Sequence, residues 1–389
     1  KRDVMKNIRL ETFNLAKIIL IKIGSAVLTG IDGLDLKIIN SLVREMSDLI
    51  HNGHTIVLVT SGAIISGKHR LNLTKPLKSI REKQAAAAIG QGRLMRVYSK
   101  SFEKRGLYVA QILLTLSDLA DRKRYLNIRN TLSTLMEWGV TPIINENDTV
   151  AVDEIKFGDN DTLAAMIANM VEADLFINLT STDGFYDCNP AKGKKAKLIS
   201  VVHEFTDELE AAATCETTEV GMGGMKSKVL AAKNVTSMGI PCVIAPGKKR
   251  RVLSKILAGK KIGTLFLPAT QKLKSKKYWI AFTLRPHGKL VLDDGAKSAI
   301  LEKGRSLLPS GIADIEGDFD LGDAVSCVDR AGVTLAKGLV NYNSADIRKI
   351  KGLKTSQISQ VLGYKDYDEV IHRNNLVIIS NNTRRQYTN

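Results

Sequence analysis

Two lysines about 200 residues apart each lie beside glycine in a short turn. Lys22 precedes Gly24 and Ser25 at the end of an apolar run, and Lys228 closes the segment Gly221–Lys228, which leads into a predicted helix. Glycines before a helix N-terminus leave backbone N–H groups open to an anion. A lysine at that end is unfavourable unless an anion neutralises it. Because the spacing does not match G-x-x-x-x-G-K-[ST], we expect a phosphate site that is not a P-loop.

Three further loops place polar side chains at the ends of predicted strands or the start of a helix. They are Thr60–Ala63 (TSGA), Asn145–Val150 (NENDTV) and Gly158–Asp161 (GDND). Asp148 could accept hydrogen bonds from an ammonium group, and the asparagines could donate to carboxylates. The amides and hydroxyl of the first loop could hold a carboxylate or a phosphate. This pattern predicts an amino-acid substrate.

Together these residues favour transfer of a phosphoryl group to a carboxylate. A carboxylate acceptor with a pKa of ~4 is ionised at pH 7 and needs no general base. None of the six histidines lies in these motifs, which agrees with such a reaction. Transfer then depends on alignment and on neutralising the reacting charges. We expect Lys22 and Lys228 to do this with Mg²⁺, and Asp161 to hold both lysines in place.

The elements that must position these loops alternate between strands and helices over residues 17–267. This alternation predicts an α/β fold with a mainly parallel sheet sandwiched by helices, in which ligands bind beyond the carboxyl ends of the strands. A long helix is expected around Ile80–Lys104. The predicted strands are Ile18–Ile23, Thr55–Thr60, Tyr108–Leu114, Thr141–Ile144, Leu175–Leu179 and Cys242–Ala245.

The sequence pattern changes near Tyr278, where short β-like runs alternate with glycine-bearing turns. It predicts a small β-barrel-like domain over residues 278–370, joined by a basic linker at 268–277. Residues 1–16 are polar and unpatterned and are predicted to be a loose leader, and 371–389 a polar tail. The predicted runs are Tyr278–Leu284, Lys289–Leu292, Ala324–Val328 and Val333–Val340.

Composition narrows the class of protein. The chain has 389 residues, 44% of them hydrophobic and 25% charged, and no apolar run approaches the length of a membrane span. Its four cysteines form no C-x-x-C pair, which favours a reducing compartment, and we predict a cytoplasmic location without membrane contact. The net charge of +17 is spread along the chain roughly in proportion to length. An anionic substrate such as ATP is a sufficient reason for part of it.

The motifs resemble those of the glutamate 5-kinases, which belong to the amino-acid kinase superfamily. The likeness rests on Lys22-Ile-Gly24-Ser25, Thr60-Ser61-Gly62-Ala63, INENDTV, GDND and GMGGMKSK, and runs from about residue 17 to 370. The β-rich part, with DDGAKSAILEKGRSLLPSGI, resembles a PUA domain. The resemblance implies ATP and L-glutamate as substrates, γ-glutamyl phosphate as product and the first step of proline biosynthesis. It also implies feedback inhibition by proline, a homo-oligomer and, as an open hypothesis, RNA binding by the PUA part.

The resemblance also assigns roles to residues. Lys22 and Lys228 would contact the phosphates, with Asp161 between them. Glutamate would be bound by Ser61, Asn145, Asp148 and Asn160. The ATP site would comprise Lys22, Gly24, Thr180, Ser181, Met222, Gly223, Gly224, Met225, Lys226, Ser227 and Lys228, and no protein residue is assigned to a metal.

One residue departs from the family pattern, and two other functions compete with this prediction. Ser181 stands where the family usually has aspartate, so the nucleotide contact there loses a charge. The first alternative is another kinase of the superfamily, acting on aspartate, N-acetylglutamate or a nucleoside monophosphate. The second is an RNA-binding protein with a vestigial kinase half. Asp148 beside Asn147 favours a substrate with a free ammonium group, and both lysines are present, which favours an active kinase.

Overall fold

The computed structural model describes residues 2–30, 33–151, 160–188, 196–206, 209, 224–268, 277, 280, 284 and 286–379. The chain divides into two compact units, Lys1–Lys272 and Leu273–Asn389. Most of the predicted linker, 268–277, lies outside the described residues. Across the described ranges, no helix combines the length and apolar character needed to cross a bilayer.

An eight-stranded sheet forms the centre of the first unit, in the order β5-β6-β4-β1-β7-β9-β10-β8. Every neighbouring pair is parallel except β9 and β10, which run antiparallel. The predicted α/β class with a mainly parallel sheet is therefore confirmed. The strands are β1 Ile18–Ile23, β4 Thr55–Val59, β5 Val109–Leu114, β6 Thr141–Glu146, β7 Leu175–Thr180, β8 Val201–Val202, β9 Cys242–Pro246 and β10 Thr264–Phe266, with a separate short pair β2 Thr29–Gly30 and β3 Gly33–Leu34.

The central strand β1 shows why this sequence forms a buried sheet. Its sequence, IILIKI, is β-branched or leucine except at Lys22, and all of it is buried apart from the half-buried Ile18. Strands covered on both faces read as continuous apolar runs in this way. Lys22 pairs in register with Asn178 of β7, so the two polar side chains project from the same face of the sheet.

Helices pack against the sheet, and several begin at side chains that cap their free N–H groups. Asp35 accepts hydrogen bonds from the backbone N–H groups of Lys37 and Ile38, and Ser79 forms a capping box with Glu82. The helices of this unit are α1 Arg2–Phe13, α2 Ser25–Leu28, α3 Leu36–His51, α4 Ala63–Arg70, α5 Ile80–Glu103, α6 Leu116–Ala120, α7 Arg122–Glu137, α8 Asn160–Met170, α9 Met225–Ser237 and α10 Val252–Leu257.

The prediction of a loose leader is wrong for residues 2–13, which form α1. Arg9 is fully buried, and its guanidinium donates to the carbonyl oxygens of Ser200, Ile262 and Gly263 at 2.7–3.1 Å. Burial lowers the pKa of Arg9 to about 10. Ile8 and Phe13 also pack against the apolar core, so the charged side chain of Arg9 adds to an apolar anchor.

Helices α4 and α5 cross at an unusually short distance because glycine lies at the crossing. A Cβ atom at Gly67 would lie 1.8 Å from the carbonyl oxygen of Ala86, and one at Gly90 would lie 1.8 Å from that of Ala63. Real Cβ atoms do not approach so closely, so only glycine fits at either position. The crossing brings the middle of α5 against the start of α4.

The second unit is built on a five-stranded sheet in the order β12-β11-β13-β14-β15. Only β11 and β13 run parallel. The predicted run Tyr278–Leu284 lies largely outside the described residues, and the sheet continues past residue 370 into the predicted tail. The strands are β11 Gly288–Leu292, β12 Ile312–Gly317, β13 Ala324–Val328, β14 Thr334–Leu339 and β15 Leu376–Ile378, and the helices are α11 Asp294–Leu301, α12 Ser344–Ile350 and α13 Ile358–Leu362.

Candidate active site

A buried carboxylate, that of Asp161, holds the two predicted lysines. The Lys22 ammonium lies 2.5 Å from Oδ1 of Asp161, and the Lys228 ammonium lies 3.1 Å from Oδ2. The three side chains are 6%, 9% and 1% exposed for Lys22, Lys228 and Asp161. Lysines this well buried require paired charges. The cluster carries one positive charge in excess, because two ammonium groups share one carboxylate.

Two neutral side chains complete the surroundings of this carboxylate. Asn178 donates from Nδ2 to Oδ1 of Asp161 at 2.8 Å, and the Ser227 hydroxyl donates to Oδ2 at 2.8 Å. Burial alone would raise the pKa of Asp161. The charges of Lys22 and Lys228, with the hydrogen bonds from Lys22 and Asn178, outweigh it and hold that pKa below its usual range. Asp161 is therefore ionised at neutral pH.

Four elements of the first unit converge on this cluster. Lys22 comes from β1 and Asn178 from the adjacent β7, while Asp161 lies in the first turn of α8 and Lys228 in the first turns of α9. Gly224 precedes α9 without a side-chain cap, so the first N–H groups of that helix are not satisfied by a capping side chain. The positive end of the helix and two lysines thus lie together, which is an arrangement suited to a polyanion.

A second cluster, of neutral polar side chains, lies beside the first. Asn160 precedes Asp161 and donates from Nδ2 to the carbonyl oxygen of Thr60, the hydroxyl of Ser61 and Oδ1 of Asn145, at 2.9, 2.8 and 3.1 Å. Its own Oδ1 is buried, with no hydrogen-bond partner in the part of the chain that the structure describes. Three of the four residues predicted to bind substrate are therefore in mutual contact, and an acceptor atom among them is open to a donor.

The fourth, Asp148, is half-buried on the segment after β6. Burial raises the pKa of Asp148 to about 6. A carboxylate whose ionised form is this poorly solvated gains from a neighbouring cation. Among the described residues, Asp148 makes no hydrogen bond to Asn160 or Ser61.

The predicted nucleotide residues occupy neighbouring strand and helix ends. Gly24 follows β1, with its N–H bonded to the carbonyl oxygen of Leu179, and Thr180 is the buried last residue of β7. Ser181 and Lys226 are exposed, Met225 is buried, and Gly224 and Ser227 are half-buried. Met222 and Gly223, with Gly158 and Asp159 of the GDND motif, lie outside the described residues.

Two residues of these clusters were missed from the sequence. Asn178 lies in the middle of the apolar strand β7, and Gln91 lies in the alanine-rich helix α5, where its Oε1 accepts a hydrogen bond from Nδ2 of Asn145 at 2.9 Å. For Asn178 the available signal was an amide inside the apolar run of β7, whereas Gln91 is one of many polar residues of α5 and carried no such signal. In the described part of the chain, no group of three or more His, Cys, Asp or Glu side chains is arranged to hold a metal ion.

Comparison with known families matches each unit separately. Residues 17–246 match the amino acid kinase family, and residues 288–362 match the PUA domain. The first match covers more than half of the chain and includes every residue of both polar clusters. The second lies wholly within the other unit.

Curated relatives match almost the whole chain. A glutamate 5-kinase of Syntrophus aciditrophicus is 65% identical over 99% of this chain and 98% of its own length. Glutamate 5-kinases of Thermoanaerobacter sp. (strain X514) and Desulfotalea psychrophila are 52% and 51% identical, over 93% and 96% of this chain and 97% and 100% of their own lengths. Among solved structures, a UMP kinase of Bacillus anthracis has 14% identity and a TM-score of 0.44, over 65% of this chain and 96% of its own. That likeness is too distant to favour the nucleoside monophosphate alternative.

Proposed function

The chain belongs to the glutamate 5-kinases of the amino acid kinase family, and we propose that it uses the lysine–aspartate–lysine cluster to move the terminal phosphoryl group of ATP onto L-glutamate. The product is γ-glutamyl phosphate, and the reaction is the first step of proline biosynthesis. The single observation that carries the mechanism is the buried contact of Asp161 with both Lys22 and Lys228. It fixes two cations in one place.

The transfer needs no protein base. A γ-carboxylate oxygen of glutamate, already ionised at neutral pH, forms a bond with the γ-phosphorus. The bond from that phosphorus to the oxygen bridging to the β-phosphate breaks, and its electron pair leaves on ADP. Negative charge is spread over the transferred group throughout, and the ammonium groups of Lys22 and Lys228 offset it. Because Asp161 holds both lysines, little reorganisation is required during the reaction.

The neutral cluster is suited to the other end of the substrate. In our proposal the α-ammonium group of glutamate donates to Oδ1 of Asn160 and lies near the carboxylate of Asp148. The Ser61 hydroxyl and the backbone N–H groups at the start of α4 donate hydrogen bonds to carboxylate oxygens of the substrate. Gly62 adopts a left-handed conformation with φ of 102° there, which few residues other than glycine tolerate. The finer assignments of nucleotide contacts to Gly24, Thr180, Ser181 and Gly224–Lys228 are part of the same proposal.

Magnesium is expected as a component of the nucleotide substrate. Both oxygens of Asp161 are engaged by Lys22, Lys228, Asn178 and Ser227, so this carboxylate does not fit a role as a direct ligand. Mg²⁺ keeps several waters and commonly binds substrate phosphates. Among the described residues we therefore assign no ligand to it.

Three further properties are proposed from family membership alone: feedback inhibition by proline, a homo-oligomer and a cytoplasmic location. Proline added to the assay at fixed glutamate tests the first, and sedimentation of the full chain tests the second. Fractionation of the source cells tests the third.

The mechanism is tested by removing each lysine in turn. We expect Lys22→Ala and Lys228→Ala each to lower kcat by about 100-fold or more, as loss of a charge-stabilising group does, while circular dichroism shows an unchanged fold. Lys233→Ala is the matched control, since Lys233 is exposed on the same helix as Lys228. Near-normal turnover in both single variants would refute the two-lysine mechanism.

The acceptor is tested with a coupled assay of ADP release. Glutamate, aspartate, N-acetylglutamate and UMP are compared at matched concentrations, and glutamate is expected to give the highest kcat/KM. Faster turnover with any of the other three overturns the assignment of substrate and leaves the two-lysine mechanism standing.

A further inference from the structure

Cations are concentrated on one short segment of the first unit. The unit Lys1–Lys272 contains 39 Lys and Arg against 27 Asp and Glu, a net charge of +12. Residues 248–261 hold seven of those cations, and no Asp or Glu lies between residues 242 and 267. A large share of the excess charge of this unit therefore lies in one short segment. The cations are Lys248, Lys249, Arg250, Arg251, Lys255, Lys260 and Lys261.

The packing of α10 turns this segment outwards. Val252, Leu253 and Ile256 are fully buried and belong to the apolar core of the unit. Because these side chains face inward, the charged ones face solvent, and all seven are exposed except the half-buried Lys255. The buried carboxylate of Glu45 accepts from the backbone N–H of Ser254 on the inner side, so it does not neutralise the outer cations.

These seven cations are not neutralised by the protein. In the described part of the chain, none of them lies within ion-pair distance of a carboxylate. The ammonium groups of Lys248 and Lys255 donate instead to the backbone carbonyl oxygens of Thr29 and Arg250, at 3.1 and 2.9 Å. A carbonyl oxygen does not cancel a full charge, so the segment keeps a positive potential that attracts anions.

Arg251 keeps its charge in an unfavourable backbone conformation. Its φ of 55° and ψ of 44° lie in the left-handed region, which glycine adopts freely and which a side chain disfavours. Its guanidinium is exposed and forms no hydrogen bond within the described residues. The fold alone would favour glycine here, so an arginine indicates a use for the side chain outside the fold.

The central sheet separates this surface from the catalytic cluster. Helices α3 and α10 share one apolar core with Ile21 and Ile23 of β1. Side chains alternate along a strand, so Lys22, which lies between those two residues, projects from the opposite face. The surface is therefore distinct from the site that binds ATP and glutamate in our proposal.

We propose that residues 248–261 form a surface that binds the phosphate backbone of a nucleic acid without reading its bases. Several cations along one segment can contact successive phosphates and release counterions. Stacking on bases requires exposed aromatic side chains, and this segment contains none. An anionic membrane is disfavoured because the large apolar side chains of α10 pack towards the core and none is left to insert.

The test measures how binding depends on salt. The full chain is titrated into a labelled DNA duplex of about 20 base pairs, between about 50 and 200 mM salt, and fluorescence anisotropy gives the binding constant. We expect the logarithm of that constant to fall with the logarithm of salt concentration with a slope of about −3 or steeper. The double variants Lys249→Ala, Arg250→Ala and Lys260→Ala, Lys261→Ala should each make the slope shallower by about 2, one for each cation removed.

Two further variants separate binding from folding and from overall charge. Arg251→Gly removes a cation and relieves the left-handed backbone, so the slope should become shallower by about 1 while the midpoint of thermal unfolding does not fall. Lys303→Ala, Arg305→Ala removes equal charge from exposed positions of the second unit and should leave the slope unchanged. Turnover of Lys260→Ala, Lys261→Ala should stay within about twofold of the unchanged chain, because distant sites act independently.

Three results would overturn the proposal. The first is an unchanged slope in both double variants of residues 248–261, and the second is an equal reduction by the control in the second unit. The third is binding to vesicles that contain phosphatidylglycerol when the duplex does not bind. Unlabelled RNA and a second DNA sequence should displace the labelled duplex at similar concentrations, since the bases are not read. A preference of about tenfold or more for one sequence would contradict that part of the proposal.

Discussion

At the scale of single residues, the two carboxylates of the site have opposite pKa shifts because their neighbours differ. Asp161 is buried between two lysines, and its pKa is held below the usual range. Asp148 is half-buried with no comparable compensating charge among the described residues, and burial raises its pKa to about 6. The first carboxylate keeps its charge throughout the physiological range and fixes the catalytic lysines. The carboxyl group of Asp148 ionises more readily when a cation lies beside it, which suits recognition of an ammonium group.

This difference predicts how binding depends on pH. The ammonium group binds the ionised form of Asp148, so protonation competes with binding below a pKa of about 6. We expect KM for glutamate to rise as pH falls below 6, approaching about tenfold per unit. The kcat should change far less, because bound substrate keeps Asp148 ionised. Steady-state kinetics between pH 5 and 8 measure both quantities.

Asp148→Asn is the control for this assignment. The neutral amide should raise KM for glutamate at pH 7 and abolish the pH dependence between 5 and 7. If KM of the unchanged chain is flat over that range, or if the variant keeps the same slope, Asp148 does not bind the ammonium group. The γ-carboxyl of glutamate titrates near a pKa of ~4.3 and lies below the range that decides the result.

The sequence alone predicted some of these residues and not others, for a physical reason. Lys22, Asn160, Asp161 and Lys228 lie at or near the ends of strands and helices, where polar runs have little packing value and therefore stand out. Asn178 lies inside the apolar strand β7, and the amide partner of Asn145 is one of many polar residues along α5. Their roles depend on what the fold places opposite them, which local patterns do not contain.

At the scale of elements, the crossing of α4 and α5 positions both the loop at Ser61 and Gln91. Gly90→Ala adds a methyl group where its carbon would lie 1.8 Å from a backbone carbonyl oxygen. We expect a loss of about 1–3 kcal/mol in the free energy of unfolding from overpacking. KM for glutamate should rise as well, because the two helices must separate. Denaturant unfolding and steady-state kinetics measure the two effects.

Gly92→Ala provides a matched control on the same helix. A Cβ atom at Gly92 meets nothing within 4 Å, so alanine adds helix propensity without a collision. It should stabilise the chain by about 0.5–1 kcal/mol and leave KM for glutamate unchanged. Equal effects of the two substitutions would show that backbone propensity, rather than the close crossing, decides stability here.

Elements with strong periodicity were predicted well from the sequence, and short or edge elements were not. The strand Ile18–Ile23 agrees at both ends, and the helix predicted around Ile80–Lys104 ends one residue earlier, at Glu103. The strands Val201–Val202 and Thr264–Phe266 were missed because two or three residues are too few to show a periodic hydrophobic pattern. Helix α1 was missed in part because Arg9 anchors it through backbone carbonyls, a contact that depends on strands 190 residues or more away along the chain.

At the scale of the whole molecule, the reaction belongs to one unit. Both polar clusters lie within Lys1–Lys272, and the amino acid kinase match covers them. The second unit has its own apolar core, formed by residues of its strands and helices such as Leu290, Val325 and Ile347. Nothing in the chemistry described for the first unit requires a residue of the second.

Within the second unit, charge is distributed unevenly along the sequence. The unit Leu273–Asn389 contains 18 Lys and Arg against 13 Asp and Glu, a net charge of +5, but its residues 286–379 contain 12 against 13, a net charge of −1. Many of these cations are already paired with carboxylates at 2.6–3.5 Å. The pairs are Lys289–Glu316, Lys297–Asp329, Arg348–Asp318, Lys349–Asp346, Lys351–Asp314 and Lys365–Asp368.

This distribution predicts that residues 286–379 do not give the chain specific affinity for RNA. Binding to a phosphate backbone requires clustered cations that release counterions, and paired lysines in a net acidic segment supply few. At 0.15 M salt, we expect the full chain to bind a tRNA fragment no more tightly than non-specific complexes do, with Kd of about 10⁻⁶ M or weaker. The double variant Lys303→Ala, Arg305→Ala, at exposed positions of this unit, should leave the filter-binding curve unchanged. Submicromolar affinity that this variant abolishes would instead make the unit an RNA-binding surface.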